Sequence, residues 1–162
     1  MNRISAIVVV VVASLAVSGL MLAQNSADPR VGTWKLNLAE SNFAGMPAPK
    51  SETRTIEAQG NGEKITFEGI AADGSPIAFT ITTNLDGKPV PFVGTGVAGG
   101  ADTDAPKRID PYTVTSTATK AGKVVTRSRY VVSKDGKVTT QTRKGMDAKG
   151  QPITQVLVWD KQ

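Results

Sequence analysis

Asp73-Gly74-Ser75-Pro76-Ile77-Ala78-Phe79-Thr80-Ile81-Thr82-Thr83-Asn84 decides the fold of this chain. An Asp-Gly turn opens the stretch. After Pro76, the residues Ile77, Phe79 and Ile81 fall on one side and Ala78, Thr80 and Thr82 on the other, because successive side chains of a strand alternate faces. This is the pattern of a strand with one face in a core and one in water. The same grammar extends in both directions: five to ten residues rich in Val, Ile, Thr and aromatics, then a turn containing Gly. No helical period interrupts it.

Upstream lie Gly32 to Asn37, Ser51 to Gln59 and Glu63 to Ala71, the last two joined by Gly60-Asn61-Gly62, whose residues tolerate the positive φ of a tight hairpin. Between the first two, Leu38 to Lys50 carries Pro47 and Pro49, which forbid a central strand or a continuing helix, so this linker is expected to cross one barrel mouth. Downstream come Lys88 to Val93, a glycine-rich stretch from Gly94 to Asp104, then Pro106 to Ile109, Tyr112 to Lys120, Lys123 to Ser133, Val138 to Lys144 and Pro152 to Lys161. Gly74-Ser75-Pro76-Ile77 and Gly150-Gln151-Pro152-Ile153 are alike because similar hairpins need similar turns. The expected fold is all-β, an antiparallel up-and-down meander of about 8 to 10 strands. Closure into a barrel removes the two hazardous edges that an open sheet of this length would expose.

The first residues read differently. Arg3 followed by the apolar Ile4 to Leu22 and small Ala23 has the form of a signal peptide, expected over 1–23, with a cut after Ala27 as the other option and an uncleaved anchor as the competing reading. Residues 24–31 then form a short linker and 32–162 the barrel domain. Losing Arg3 leaves 18 basic against 14 acidic residues, a mild +4 spread along the chain, which does not indicate a nucleic-acid surface. No stable membrane anchor is expected after cleavage. The sequence names no protein partner. Export implies a periplasmic or secreted protein, yet cysteine is absent, so neither disulfides nor a lipidated cysteine is available. Histidine is absent as well, which removes the usual general base and nearly every zinc constellation. The expectation is a non-enzyme without cofactor or metal.

Gly94-Thr95-Gly96-Val97-Ala98-Gly99 fits G-x-G-x-x-G, but a dinucleotide fingerprint must open a helix, and Gly100, Asp102 and Pro106 follow here. A mobile rim loop is the better reading. Asp102 and Asp104 lack the alternating oxygen ligands of a calcium loop, and Asp73, Asp86, Asp135 and Asp147 occupy turns, where the carboxylate bonds the backbone. Arg127 and Arg129 share one face of a strand, with Arg143 on the next. Facing inward they would hold an anionic head group; facing outward they are surface charge, and the opposite parity of Val124, Tyr130 and Val132 favours outward. Trp34 and Trp159 mark the first and last strands, neighbours in any closed barrel, and are expected to seal that seam.

Gly32-Thr33-Trp34-Lys35-Leu36 resembles the G-x-W opening of lipocalins and the opening of intracellular fatty-acid-binding proteins, and Asp147 to Lys161 is similar in character to the closing strand of the second group. From Asp28 to Gln162 the chain resembles exported bacterial lipocalin-like (calycin) proteins. The resemblance implies a barrel that holds a small apolar or amphipathic molecule. Two departures stand out. Leu38 to Lys50 is too short and proline-broken for the helix pair of fatty-acid-binding proteins, and Leu157 and Trp159 occupy the positions of their carboxylate-holding R-x-Y motif, so Arg127, Arg129 or Arg143 would have to substitute. The expected ligand-binding residues are Phe67, Phe79, Ile81, Arg127, Arg129, Arg143 and Leu157, with Ile65 and Ile77 also lining the lumen. The alternative is a filled barrel without ligand, acting as a structural or interaction module through the threonine faces of Thr113, Thr115, Thr117, Thr119, Thr139 and Thr142.

Overall fold

The computed structural model describes residues 28–162. The signal peptide expected at 1–23 and residues 24–27 of the linker lie outside them. Twelve strands form one antiparallel sheet: β1 (Gly32–Asn42), β2 (Ser51–Gln59), β3 (Gly62–Ile70), β4 (Pro76–Thr83), β5 (Val90–Pro91), β6 (Val93–Thr95), β7 (Thr103–Asp104), β8 (Lys107–Asp110), β9 (Thr113–Lys120), β10 (Lys123–Val132), β11 (Val138–Met146) and β12 (Pro152–Lys161). The only helical element among the described residues is a short 3₁₀ turn at Ala98–Gly100. None is long and apolar enough to cross a membrane.

The sheet order is β5-β7-β9-β10-β11-β12-β1-β2-β3-β4-β6, with β8 also on β9. First and last long strands pair, Leu36 opposite Trp159. The remaining gap is bridged by the chain itself, since β5 pairs with β7 while β6, one residue later, pairs with β4. The result is a nearly closed calycin-like barrel. Two readings are corrected here. Lys88 to Val93, expected as one strand, is divided at Phe92 between the two sides of the gap, and the linker expected from Leu38 begins later, because β1 continues to Asn42. That extension passes through a bulge in which the Ser41 hydroxyl donates to the Asn37 carbonyl (2.6 Å) and accepts from the Val158 amide (2.9 Å), replacing a lost ladder bond.

G-x-G-x-x-G is structural. Gly94 has φ 129°, and a Cβ there would sit 2.1 Å from the Ala78 carbonyl oxygen, so β6 can lie against β4 only with glycine at this point. Asp73, Asp86, Asp135 and Asp147 accept backbone amides two residues ahead, at 2.8 to 3.2 Å.

The core gathers Leu36, Ile56, Ile65, Phe67, Ile77, Phe79, Ile81, Val132, Leu157 and both tryptophans. Trp34 and Trp159 are 0% exposed. Each buried indole removes roughly 200 Å² from water, on the order of 5 kcal/mol before entropic costs. One barrel end is closed from beneath by residues 28–31: the Trp34 indole donates to the Arg30 carbonyl at 2.8 Å and Lys161 Nζ to that of Pro29 at 3.1 Å. At the same end Glu63, nearly fully buried, lies 3.0 Å from Arg30 Nη2 and 2.9 Å from Arg108 Nη2, and Arg108 also pairs with Asp28. The opposite end is the mouth, ringed by the 43–50 linker and the turns after β3, β9 and β11.

Candidate ligand-binding site in the barrel lumen

A cavity of about 590 Å³ runs from Arg30 to the mouth, where Met146 is exposed. That is within the range of small-molecule sites, and it removes the premise of a filled barrel. Thr113 and Thr139 of the supposed outer face are buried.

The lining is two-sided. From β3 and β4 come Ile65, Phe67, Ile77, Phe79 and Ile81, in register so that Phe67 stacks on Phe79 with ring centroids 4.6 Å apart. Phe92, at the gap, meets Phe79 edge-on at 5.5 Å. Facing them, β7 to β12 contribute Asp104, Ser116, Ser128, Tyr130, Arg143 and Gln155 among apolar neighbours such as Val114 and Leu157. Phe67, Phe79, Ile81, Leu157 and Arg143 therefore all line the cavity. Arg127 and Arg129 do not: both are exposed, and Arg127 borders a shallow outer depression between β10 and β12. Their removal from the lumen follows from strand parity, since Ser128, Tyr130 and Val132 turn inward. Trp34 and Trp159 sit side by side at the β1/β12 seam and do not face the cavity.

The residue that sequence reading missed is Arg54. Its place on β2 is in phase with buried Ile56, so its side chain enters the lumen and is only 3% exposed. No carboxylate among the described residues forms an ion pair with it, and its Nε has no hydrogen-bond partner. Aromatic faces support it instead: its guanidinium carbon lies 4.8 Å from the Trp159 ring centre, 5.1 Å from Tyr130 and 5.9 Å from Trp34. Burial pushes Arg54 down to about 10, still protonated at neutral pH.

Two carboxyl groups share the lumen. Glu52 is raised by burial, partly offset by Arg143 and Arg54. Asp104 is raised by burial too, against the hydrogen bond from Ser116 and the Ala105 amide. Ser116 Oγ lies 2.5 and 2.6 Å from the two Asp104 oxygens. Ser116 thus gives its one hydrogen to the Asp104 carboxyl group. Asp102, by contrast, accepts the Ala121 amide at 2.7 Å, and among the described residues no three ligating groups gather for a metal.

Gln141 sets the polarity of the neighbouring hydroxyls. The Trp159 indole can only donate, which assigns Gln141 Oε1 to it at 3.2 Å and turns Nε2 toward Tyr130 OH (3.0 Å) and Ser128 Oγ (3.3 Å). Both hydroxyls therefore accept from the amide. Burial pushes the Tyr130 phenol up and keeps it a neutral donor.

A nearly closed antiparallel barrel with an internal cavity of mixed polarity defines the class: a calycin-like barrel. Among solved structures, the chain is similar to the zebrafish ileal bile acid-binding protein complexed with cholic acid, with a TM-score of 0.52 and 13% identity over 83% of this chain and 99% of that one. No protein-family model matches the chain, and no curated protein matches it.

Proposed function

We propose that this protein is a non-enzymatic carrier that holds a small amphipathic anion in its lumen. The observation that carries the reading is Arg54, a buried cation without a carboxylate partner, aimed into a cavity walled by Phe67, Phe79 and Ile81. Burying an unpaired charge costs free energy in the empty protein, and an anionic group of the ligand would recover it, with Arg143 as second donor. The cholic acid held by the structural neighbour is an amphipathic acid of this general kind. The apolar segment before residue 24 supports a carrier that works in the periplasm or outside the cell, as in the exported bacterial lipocalin-like proteins that the chain resembles.

The test is titration calorimetry with an alkyl sulfonate, which stays ionised at every working pH. Because burial raises Glu52 and Asp104, both are neutral in acid and become carboxylates as pH rises through their elevated folded values. Sulfonate affinity should therefore fall several-fold from acid to neutral pH, and Asp104→Asn should flatten that fall. No binding at any pH, or affinity that grows with pH, would refute the anion site.

A further inference from the structure

We propose that the lumenal anion is doubly charged, a phosphate monoester on an apolar body, held by Arg54 and Arg143 together. The proposal rests on the carrier reading above and names the head group which that reading left open.

Three guanidinium groups line the lumen, those of Arg30, Arg54 and Arg143. Glu63 answers Arg30 at 3.0 Å. Among the described residues neither Arg54 nor Arg143 forms an ion pair, and neither side chain donates a hydrogen bond. The two unanswered cations come together over one residue. Arg54 holds its guanidinium carbon 5.1 Å from the Tyr130 ring centre. Tyr130 pairs with Gln141, so Arg143, two residues further along β11 and also lining the lumen, is its diagonal neighbour. Backbones so placed are about 7 to 8 Å apart, within the reach of an arginine side chain. Burial raises the Tyr130 phenol, and the charges that oppose the rise most are Arg143 and then Arg54. The same two, in the same order, oppose the rise of Glu52.

Two like charges that converge in a partly desolvated space raise each other's cost. The lumenal carboxyl groups do not cancel them: Glu52 forms no ion pair with either, and Asp104 has already taken the Ser116 hydrogen and the Ala105 amide. A carboxylate or a sulfonate brings one charge and leaves the second cation unanswered. A phosphate monoester has three terminal oxygens and, above a second ionisation near about pH 6, close to two charges. Its oxygens fan outward, so each arginine fork can take a pair of them. The fourth oxygen leads to the rest of the ligand, which faces the wall of Phe67, Phe79 and Phe92 and is therefore apolar.

The experiment compares dodecyl phosphate with dodecyl sulfonate, each below its micellar concentration, by calorimetry on the wild-type protein at about pH 5 and about pH 8. The sulfonate carries one charge throughout, and the lumenal carboxyl groups act on both ligands, so the ratio of the two affinities reports the second charge of the phosphate. That ratio should rise at least about tenfold between the two pH values. In Arg143→Met it should stay near one at both, and Arg143→Lys should restore part of the rise; near-ultraviolet circular dichroism establishes that the variants fold, and the wild-type ratio decides the question without them. Inorganic phosphate should bind at least about a hundredfold more weakly than dodecyl phosphate. Equal binding of the free ion would overturn the ester assignment. A ratio that does not change with pH while the sulfonate binds would overturn the dianion and leave the lumenal anion site standing. Binding of neither dodecyl compound would overturn both.

Discussion

Arg54→Met will make the empty protein more stable and cost it its anion. The desolvation that pushes Arg54 down to about 10 corresponds to about 3 kcal/mol of burial cost, and the three aromatic contacts recover about 1 to 2 kcal/mol of it. Methionine keeps the unbranched stem and discards the charge, for a net gain of about 1 kcal/mol, or roughly 4 °C in melting temperature. The sign with pH is defined. For a cation whose folded value lies below its unfolded one, the cost is fully present below the folded value and disappears above it, so the gain is constant from about pH 5 to about pH 9. Sulfonate affinity falls about 10- to 100-fold in the same variant, the worth of hydrogen bonds to a charged group. Differential scanning calorimetry and the sulfonate titration check the two halves, and a lowered melting temperature would mean that Arg54 is a structural post and not a receptor.

Glu63→Ala has the larger effect on stability. The carboxylate neutralises Arg30, whose side chain is 5% exposed, and also bonds Arg108, so its removal strands a guanidinium against the floor of the barrel. Breaking a buried pair in this way costs about 3 to 5 kcal/mol, a melting point lowered by more than about 10 °C. Added salt should not mask the loss, because screening acts poorly on buried pairs. Arg30→Met on top of Glu63→Leu should return most of the stability. A Glu63→Ala protein that melts with the wild type would show that residues 28–31 are held by Trp34 and Lys161 alone.

These two residues mark where the sequence was readable and where it was not. Ile77, Phe79 and Ile81 gave up their faces at once, because nothing but a pleated strand aligns them, and the same parity lined up Ile65, Phe67 and Leu157. Arg54 carried an equal signal, in phase with Ile56, but a search for apolar periodicity treats an arginine in phase as an interruption. Asp104 was hidden in a glycine-rich stretch read as loop, since two residues of β7 are too short to form a pattern. On β10 the bulge between Val124 and Thr126 shifts the pairing, which leaves Val124 exposed while Ser128, Tyr130 and Val132 turn inward. Partners such as Arg30 and Glu63 are 33 positions apart, a pairing that only the closed barrel creates.

The crossing at Phe92 carries a consequence for survival outside a folding compartment. Pro91 and Val93 serve opposite borders of the sheet, so Phe92 carries the chain across the gap, which the Asp86–Lys107 bridge and the Gly87 and Arg108 amides also span. A proteolytic nick at Phe92 would loosen both ribbon borders, each with amides and carbonyls able to recruit strands from other molecules. Proline on one side and a glycine-dependent contact on the other make that hinge hard for a protease to unfold, and so guard the chain against polymerising through its own seam.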